Sequence, residues 1–509
     1  MAEGKLPNFA RLTQNGASGQ LFSTIPITAP SWSSIYTGKN SGKHGIYSPL
    51  YQRNGSYDVG IIHSGLRRAR DMWEIAGEKG VKACVVNAPA TYPPRPLNGD
   101  LVVGHYAPES ASNFCYPPEL KDKVEKVVGK FQVYPGQKYT ASGKLAEFRD
   151  AMLRTLKLTE YLLDDIDWRL AFVVFREIDE AQHVFIGDPK MLETIYGWMD
   201  TYLGRLLEKM DGNTFVVVVS DHGAIEIRSR IDTVTPLIMN GWLSVKTAGT
   251  STRLKLFRGF ISAGAKLRLT PLVEFPAFQL VAKFAKKKVV GLHVSTARSV
   301  SNLVNWERTK AYPYLTMGYR VNLQGREPRG IVPPEEYEEL REKLVQLLLA
   351  MKDEKTGSPV FKFVARREDV FKGPYLEDAP DVYGLFNDGY WPYVWRSSVE
   401  TLMTPTLTWR GAHASTGIFM LGGPGVKSGL KAEGLTVTDI APTVLYLLGV
   451  PVPSDMDGNI RSDCLSQEIV EALPLVRSEA SESKEVAGGL SKDEELAVED
   501  NLRKLGYLD

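Results

Sequence analysis

An α/β fold, a mostly parallel sheet held between two layers of helices, is predicted by three features of this sequence. The first is the run Phe215-Val216-Val217-Val218-Val219, which reads as a strand buried on both faces of a sheet. Second, such runs alternate with helical periodicity. Residues 144–165 and 189–210 read as amphipathic helices, and 170–175 and 215–219 as the strands that follow them. Third, both strands lead into an acid and an imidazole, and ligands of open α/β sheets gather at the carboxyl ends of strands.

Length and composition narrow the classes. A chain of 509 residues can bury a large core and hold more than one structural unit. Lys+Arg (61) and Asp+Glu (60) nearly cancel, so no global field marks a nucleic-acid binder, and no stable nucleic-acid complex is expected. Cys84, Cys115 and Cys464 are odd in number and far apart, which suits a reducing compartment better than a disulfide framework. No leader pattern opens the sequence and no long apolar run suggests a transmembrane segment. A cytoplasmic enzyme is the expectation.

Taken in order, residues 8–14 read as a short helix and 19–24 as a strand. Pro30 suits a first helical turn, which sets the Thr28 hydroxyl beside free N–H groups at a helix N-terminus. A hydroxyl there is either an N-cap or a nucleophile facing an anion. His44, in the loop 39–46, reads as structural. A helix over 71–80 passes into a strand over 81–87, and the Pro-rich stretch 88–118 reads as loop. After the strand 170–175 comes Asp179-Glu180-Ala181-Gln182-His183, whose acid and imidazole share a face if the chain turns helically. After 215–219 comes Ser220-Asp221-His222-Gly223, which is a metal-ligand pair or a capping Asp beside a packed His. A strand at 319–323, a helix at 335–351 and a strand at 379–385 precede Gly411-Ala412-His413, then an apolar strand and a helix ending near Leu448. There are no internal repeats.

Between Thr252 and Arg298 ten Lys/Arg stand against one acid, Glu274. Such a run is usually a solvated face. Concentrated in one insertion, it also suits a lid over an anionic substrate or, failing that, a surface for anionic lipid or nucleic acid. The expected organisation is a catalytic core over 1–250, a basic cap over 251–318, the rest of the core over 319–464, and an acidic mobile tail with a surface helix over 465–509.

A threonine at a helix N-terminus, Asp-x-x-x-His, Asp-His-Gly and a late Gly-x-His are parts that phosphate-ester cleavage by two metal ions requires. Together with Thr28-Ala29-Pro30-Ser31-Trp32, Lys43-His44-Gly45-Ile46, Asn322-Leu323-Gln324-Gly325-Arg326 and Asp439-Ile440-Ala441-Pro442, they resemble the type I phosphodiesterase/nucleotide pyrophosphatase family of the alkaline phosphatase superfamily. The resemblance covers nearly the whole chain outside the basic insertion. It implies an alkaline phosphatase-like fold and two divalent ions, zinc first, with manganese or magnesium as alternatives. It also implies a small phosphate-ester substrate. Asp179, His183 and His413 would hold one ion, and Asp221 and His222 the other, with Thr28 as the nucleophile beside it. A sulfatase would need Arg where Trp32 stands. The family pattern opens with a buried strand ending in Asp-Gly, whose Asp serves the second ion. Nothing upstream of Gly4-Lys5-Leu6-Pro7-Asn8 supplies it, so a gap or exposed sheet edge beside Asp221 is expected. The implied activity is hydrolysis of a phosphodiester or pyrophosphate through phospho-threonine. The alternatives are an impaired binding protein on this scaffold, or a phosphomonoesterase or phosphomutase.

Overall fold

The computed structural model describes residues 3–134, 141–246, 304–353, 355–392, 410–480 and 489–504. The basic stretch 252–298, expected to form a lid, lies outside them. The α/β class holds, and the central sheet comes as two four-stranded halves. One is ordered β4–β3–β2–β5, built from β2 (Ala83–Ala88), β3 (Gly99–Val103), β4 (Cys115–Tyr116) and β5 (Leu170–Val173). Here β2 runs parallel to both β3 and β5, and only the short β4 is antiparallel. The other half is ordered β14–β1–β13–β6, from β1 (Ala17–Phe22), β6 (Val216–Val219), β13 (Thr416–Gly422) and β14 (Leu430–Thr436). In it β1 and β14 are parallel, while β13 runs against β1 and β6.

Among the described residues the two halves do not pair with each other: there β5 pairs only with β2 and β6 only with β13. Between them lies a cavity of about 1040 Å³, walled by 170–175 on one side and 215–219 on the other. This is the open edge expected beside Asp221. It also corrects the expectation that the valine strand is buried on both faces, because all four valines of β6 are only half-buried. Strands pair about 4.8 Å apart, and here one neighbour is missing on each side of the slot.

Helices cover the sheet in two groups. α2 (Thr28–Thr37), Met72–Gly77 and α7 (Ile440–Leu447) pack together. So do α1 (Pro7–Asn15), α3 (Ala141–Asp165), α4 (Glu177–Phe185) and α5 (Pro189–Leu207). Trp32, Ile440 and Val444 from the first group and Leu163, Met199 and Leu203 from the second close over the slot.

A second sheet, ordered β8–β9–β11–β10, comprises β8 (Ala311–Tyr314), β9 (Gly318–Val321), β10 (Phe361–Arg366) and β11 (Val382–Phe386). Helix α6 (Pro334–Leu349) packs on it over a separate apolar core. The family-like Asn322 and Arg326, with Asp381, brace this unit. Arg326 forms two hydrogen bonds to the buried Asp381 carboxylate, at 2.7 and 2.6 Å, and Asn322 Nδ2 donates to three backbone carbonyls.

Three local expectations fail. The Pro-rich loop contains β3 and β4, because the short apolar run Leu101-Val102-Val103 adds to the edge of β2. In the tail expected to be mobile, Gln467–Ala472 is helical and Arg477–Ser478 pairs with Val452–Pro453. The terminal helix α8 (Lys492–Lys504) is docked, not merely laid on the surface: Val498 is fully buried beside Ile61 and Ile62, and Glu495 pairs with Arg53.

Candidate active site

The carboxyl ends of β5 and β6 open at one mouth of the slot, and there the expected residues assemble. α4 begins four residues after β5, so Asp179 and His183 share a helical face with Oδ1 and Nε2 3.4 Å apart. The chain leaving β6 places Asp221 and His222, Oδ2 to Nε2 3.3 Å, then turns straight into β7 (Gly223–Glu226). A Cβ at Gly223 would lie 2.2 Å from the Thr416 carbonyl oxygen, so only glycine allows this approach. β7 pairs antiparallel with β12 (Gly411–Ala414), setting His413 opposite Ala224. The His413 ring stacks on that of His222 at 3.7 Å.

All three imidazoles are held in the same way. Nδ1 of His183 lies 2.9 Å from the Gly411 carbonyl, Nδ1 of His413 2.7 Å from that of Pro26, and Nδ1 of His222 3.1 Å from that of Gly223. A carbonyl can only accept, so each Nδ1 carries the proton and each Nε2 presents a lone pair. The Nε2 atoms of His183 and His413 face one another at 3.0 Å. Two lone pairs tolerate that only with a proton or a cation between them. Two imidazoles on a tetrahedral zinc, each at about 2.0–2.1 Å, sit roughly 3.3 Å apart. Asp179, His222 and His413 bring one ligand atom each within 4.8 Å of one another. The buried Nε2 of His222 and Oδ2 of Asp221 have no hydrogen-bond partner among the described residues. This donor set fits divalent metal, with the backbone carbonyls orienting the ligands from outside.

The charges are tuned against each other. Burial would raise Asp179, but the three imidazoles hold it well below the carboxylate range. Burial opposes a charged His183, yet Asp179 raises it above an ordinary histidine. His413 is driven well below the usual value by burial and by His222. Burial pushes Asp221 up to about 6, against His222 and with Asp179.

Thr28 is the first residue of α2 and lines the same cavity as Asp179, Asp221 and His222. The cap position is Ile27 and no side chain caps the helix, so the Thr28 hydroxyl is not occupied in capping. Ser31 ties the helix to the site by donating to the Asp221 carbonyl at 2.6 Å, a link that no motif announced. His44 is structural as expected: its Nε2 lies 3.0 Å from Ser34 Oγ, and its Nδ1 accepts from Ile46 N–H at 3.1 Å. The cysteines are buried and free, and no described helix is long and apolar enough to cross a membrane.

Acids and imidazoles thus gather at the carboxyl ends of an α/β sheet, with a Thr-bearing helix end lining the same cavity. The type I phosphodiesterase/nucleotide pyrophosphatase family profile matches residues 1–404, and the chain belongs to that family of hydrolases. Among solved structures, phosphonoacetate hydrolase from Sinorhizobium meliloti 1021, in complex with phosphonoacetate, is similar at 14% identity. The match covers 88% of this chain and 91% of that one with a TM-score of 0.53. Murine ectonucleotide pyrophosphatase/phosphodiesterase 5 is also 14% identical, covering 91% of this chain and 95% of that one with a TM-score of 0.48. No curated protein matches the chain.

Proposed function

We propose that this protein hydrolyses a phosphodiester or pyrophosphate bond of a small substrate through a phospho-Thr28 intermediate and depends on two divalent ions, zinc first. The carrying observation is the shared histidine arrangement: three Nδ1 atoms committed to carbonyls and three Nε2 atoms converging on two carboxylates beside Thr28. Asp179, His183 and His413 are assigned to one ion, and Asp221 and His222 to the other. When bound, the ions supply the positive charge that activates a hydroxyl and stabilises phosphoryl oxygens. Thr28 Oγ1 forms the new bond to phosphorus as the bond to the leaving group breaks. Water then splits phospho-Thr28 and restores the hydroxyl. The first-turn N–H groups of Thr28 and Ala29 precede the first intrahelical bond, Ser31 N–H to Ile27, and so are left for a phosphoryl group to use.

The test is turnover of bis-p-nitrophenyl phosphate alongside metal content. Thr28→Ala should abolish turnover, at least 10³-fold, while keeping the fold and the ion at Asp179. Undiminished diesterase activity would make water the nucleophile. Faster turnover of the monoester would move the reading to a phosphomonoesterase. The open slot beside Asp221, with only two protein carriers for the second ion, favours one further reading, a binding protein of low activity. Metal uptake without turnover in the wild type would select it.

A further inference from the structure

Metal binding leaves one group beside Thr28 unexplained. Among the described residues four non-glycines have positive φ, and three of them lie close together: Asn87 (61°) at an irregularity near the end of β2, and Ala90 (57°) and Tyr106 (75°) on the turns that follow β2 and β3. Such backbone is disfavoured for a bulky residue, and it persists where surrounding structure imposes it, often at functional sites. Here the frame is tight. Ala90 N–H donates to the His105 carbonyl at 2.8 Å, Gly104 N–H to that of Ala88 at 3.0 Å, and Asn87 Nδ2 to that of Val174 at 2.9 Å. The frame presents Tyr106, which is buried in one apolar cluster with Ala29, Ala90 and Ile62. Its hydroxyl is enclosed and makes no formed hydrogen bond with any described group. Thr28 is the side chain near enough to pair with it, and the equally enclosed Tyr134 hydroxyl also acts on it. A phenylalanine would fill the same space without burying an unsatisfied hydroxyl, so the fold does not call for this oxygen.

We propose that Tyr106 is a positioning residue for the nucleophile: its phenol donates to Thr28 Oγ1 and fixes the direction from which that oxygen attacks. This rests on the assignment of Thr28 above. Burial raises the phenol far above its ordinary value, so the proton stays on it and the group remains a donor. The bond is strongest where Thr28 Oγ1 carries most negative charge, when its proton has left before attack and again as it departs from phosphorus in the second step. No atom is transferred to or from Tyr106.

The experiment is Tyr106→Phe, measured with metal content, melting temperature and a crystal structure of the wild type. We expect kcat to fall about 10²-fold, KM to stay within about twofold, and ions and melting temperature to be kept. In a Thr28→Ser background, where the oxygen has lost its methyl restraint, the loss should be larger. In a Thr28→Ala background Tyr106→Phe should change nothing. Wild-type kcat in Tyr106→Phe, or a fall matched by lost metal or lost stability, overturns the proposal. The crystal structure decides it independently of activity: a Tyr106–Thr28 oxygen distance near 2.8 Å is expected, and one beyond about 4 Å overturns it. A wild type without Thr28-dependent turnover would instead defeat the assignment of function, which the distance leaves untouched.

Discussion

At Asp221 two demands conflict. The residue must be ionised to hold a cation, yet burial pushes its carboxyl up to about 6. His183, raised by Asp179, likewise keeps its proton longer than an ordinary histidine. A cation must displace these protons, so binding releases them and competes with acid. The sign follows: above about pH 7 the Asp221 carboxyl is already ionised and the His183 proton is the one left to displace, whereas below about pH 6 affinity falls roughly tenfold per pH unit for each proton displaced. Zinc titration by calorimetry in several buffers should show this fall, with proton release at pH 5.5. A pH-independent affinity between 5 and 8 would remove Asp221 and His183 from the ligand set. The six named site residues were legible because each lies in a short motif at a strand or helix end. The groups that orient them were not. The Gly411, Pro26 and Gly223 carbonyls and the Ser31 hydroxyl act through backbone geometry, and Tyr106 has no motif.

The elements divide the labour between two cores. The Arg326–Asp381 pair belongs to the second sheet, not to the site, although Arg326 stands in a family-like motif. Asp381 is fully buried, accepts from Tyr337 at 2.7 Å and from Val321 N–H at 2.7 Å, and is held below its ordinary value: burial opposes this and Arg326 outweighs it. Asp381→Ala would strand a largely buried guanidinium, a change that costs about 3–5 kcal/mol. Chemical denaturation should show that loss, with metal content kept because the site is built on the other core. A destabilisation below 1 kcal/mol would mean the network is solvated. Element type was legible where periodicity was long, as in α3, α5 and β6. It failed at β3, three apolar residues among prolines, and at α8, whose buried face rests chiefly on Val498 and two acids paired with distant partners. Such contacts have no local signal.

On the scale of the whole molecule, the slot between β5 and β6 is the feature that joins stability to chemistry. Both edges expose a ladder of backbone groups, the walls are apolar, and one mouth opens on Asp221 and His222. An extended apolar segment of about six residues is the shape that would pair with both edges at about 4.8 Å and merge the two halves into one sheet. Each new backbone hydrogen bond contributes about 0.5–1.5 kcal/mol net, and the apolar side chains add about 25 cal/mol per Å² buried. Ordering the segment costs about 1–2 kcal/mol per residue, so the gain is a few kcal/mol at most. Leu6 and Phe9 line the cavity, which puts the slot within a short turn of the amino-terminal helix. Fusing a β-branched strand that ends in Asp-Gly ahead of Met1 should therefore raise the melting temperature by several degrees. It should also raise the second ion's occupancy, because the added carboxylate arrives beside Asp221 and His222. The control is the same fusion with proline at alternate positions, which cannot donate to either edge. Equal melting temperatures and equal ion counts for the two fusions would show that the slot does not accept a strand.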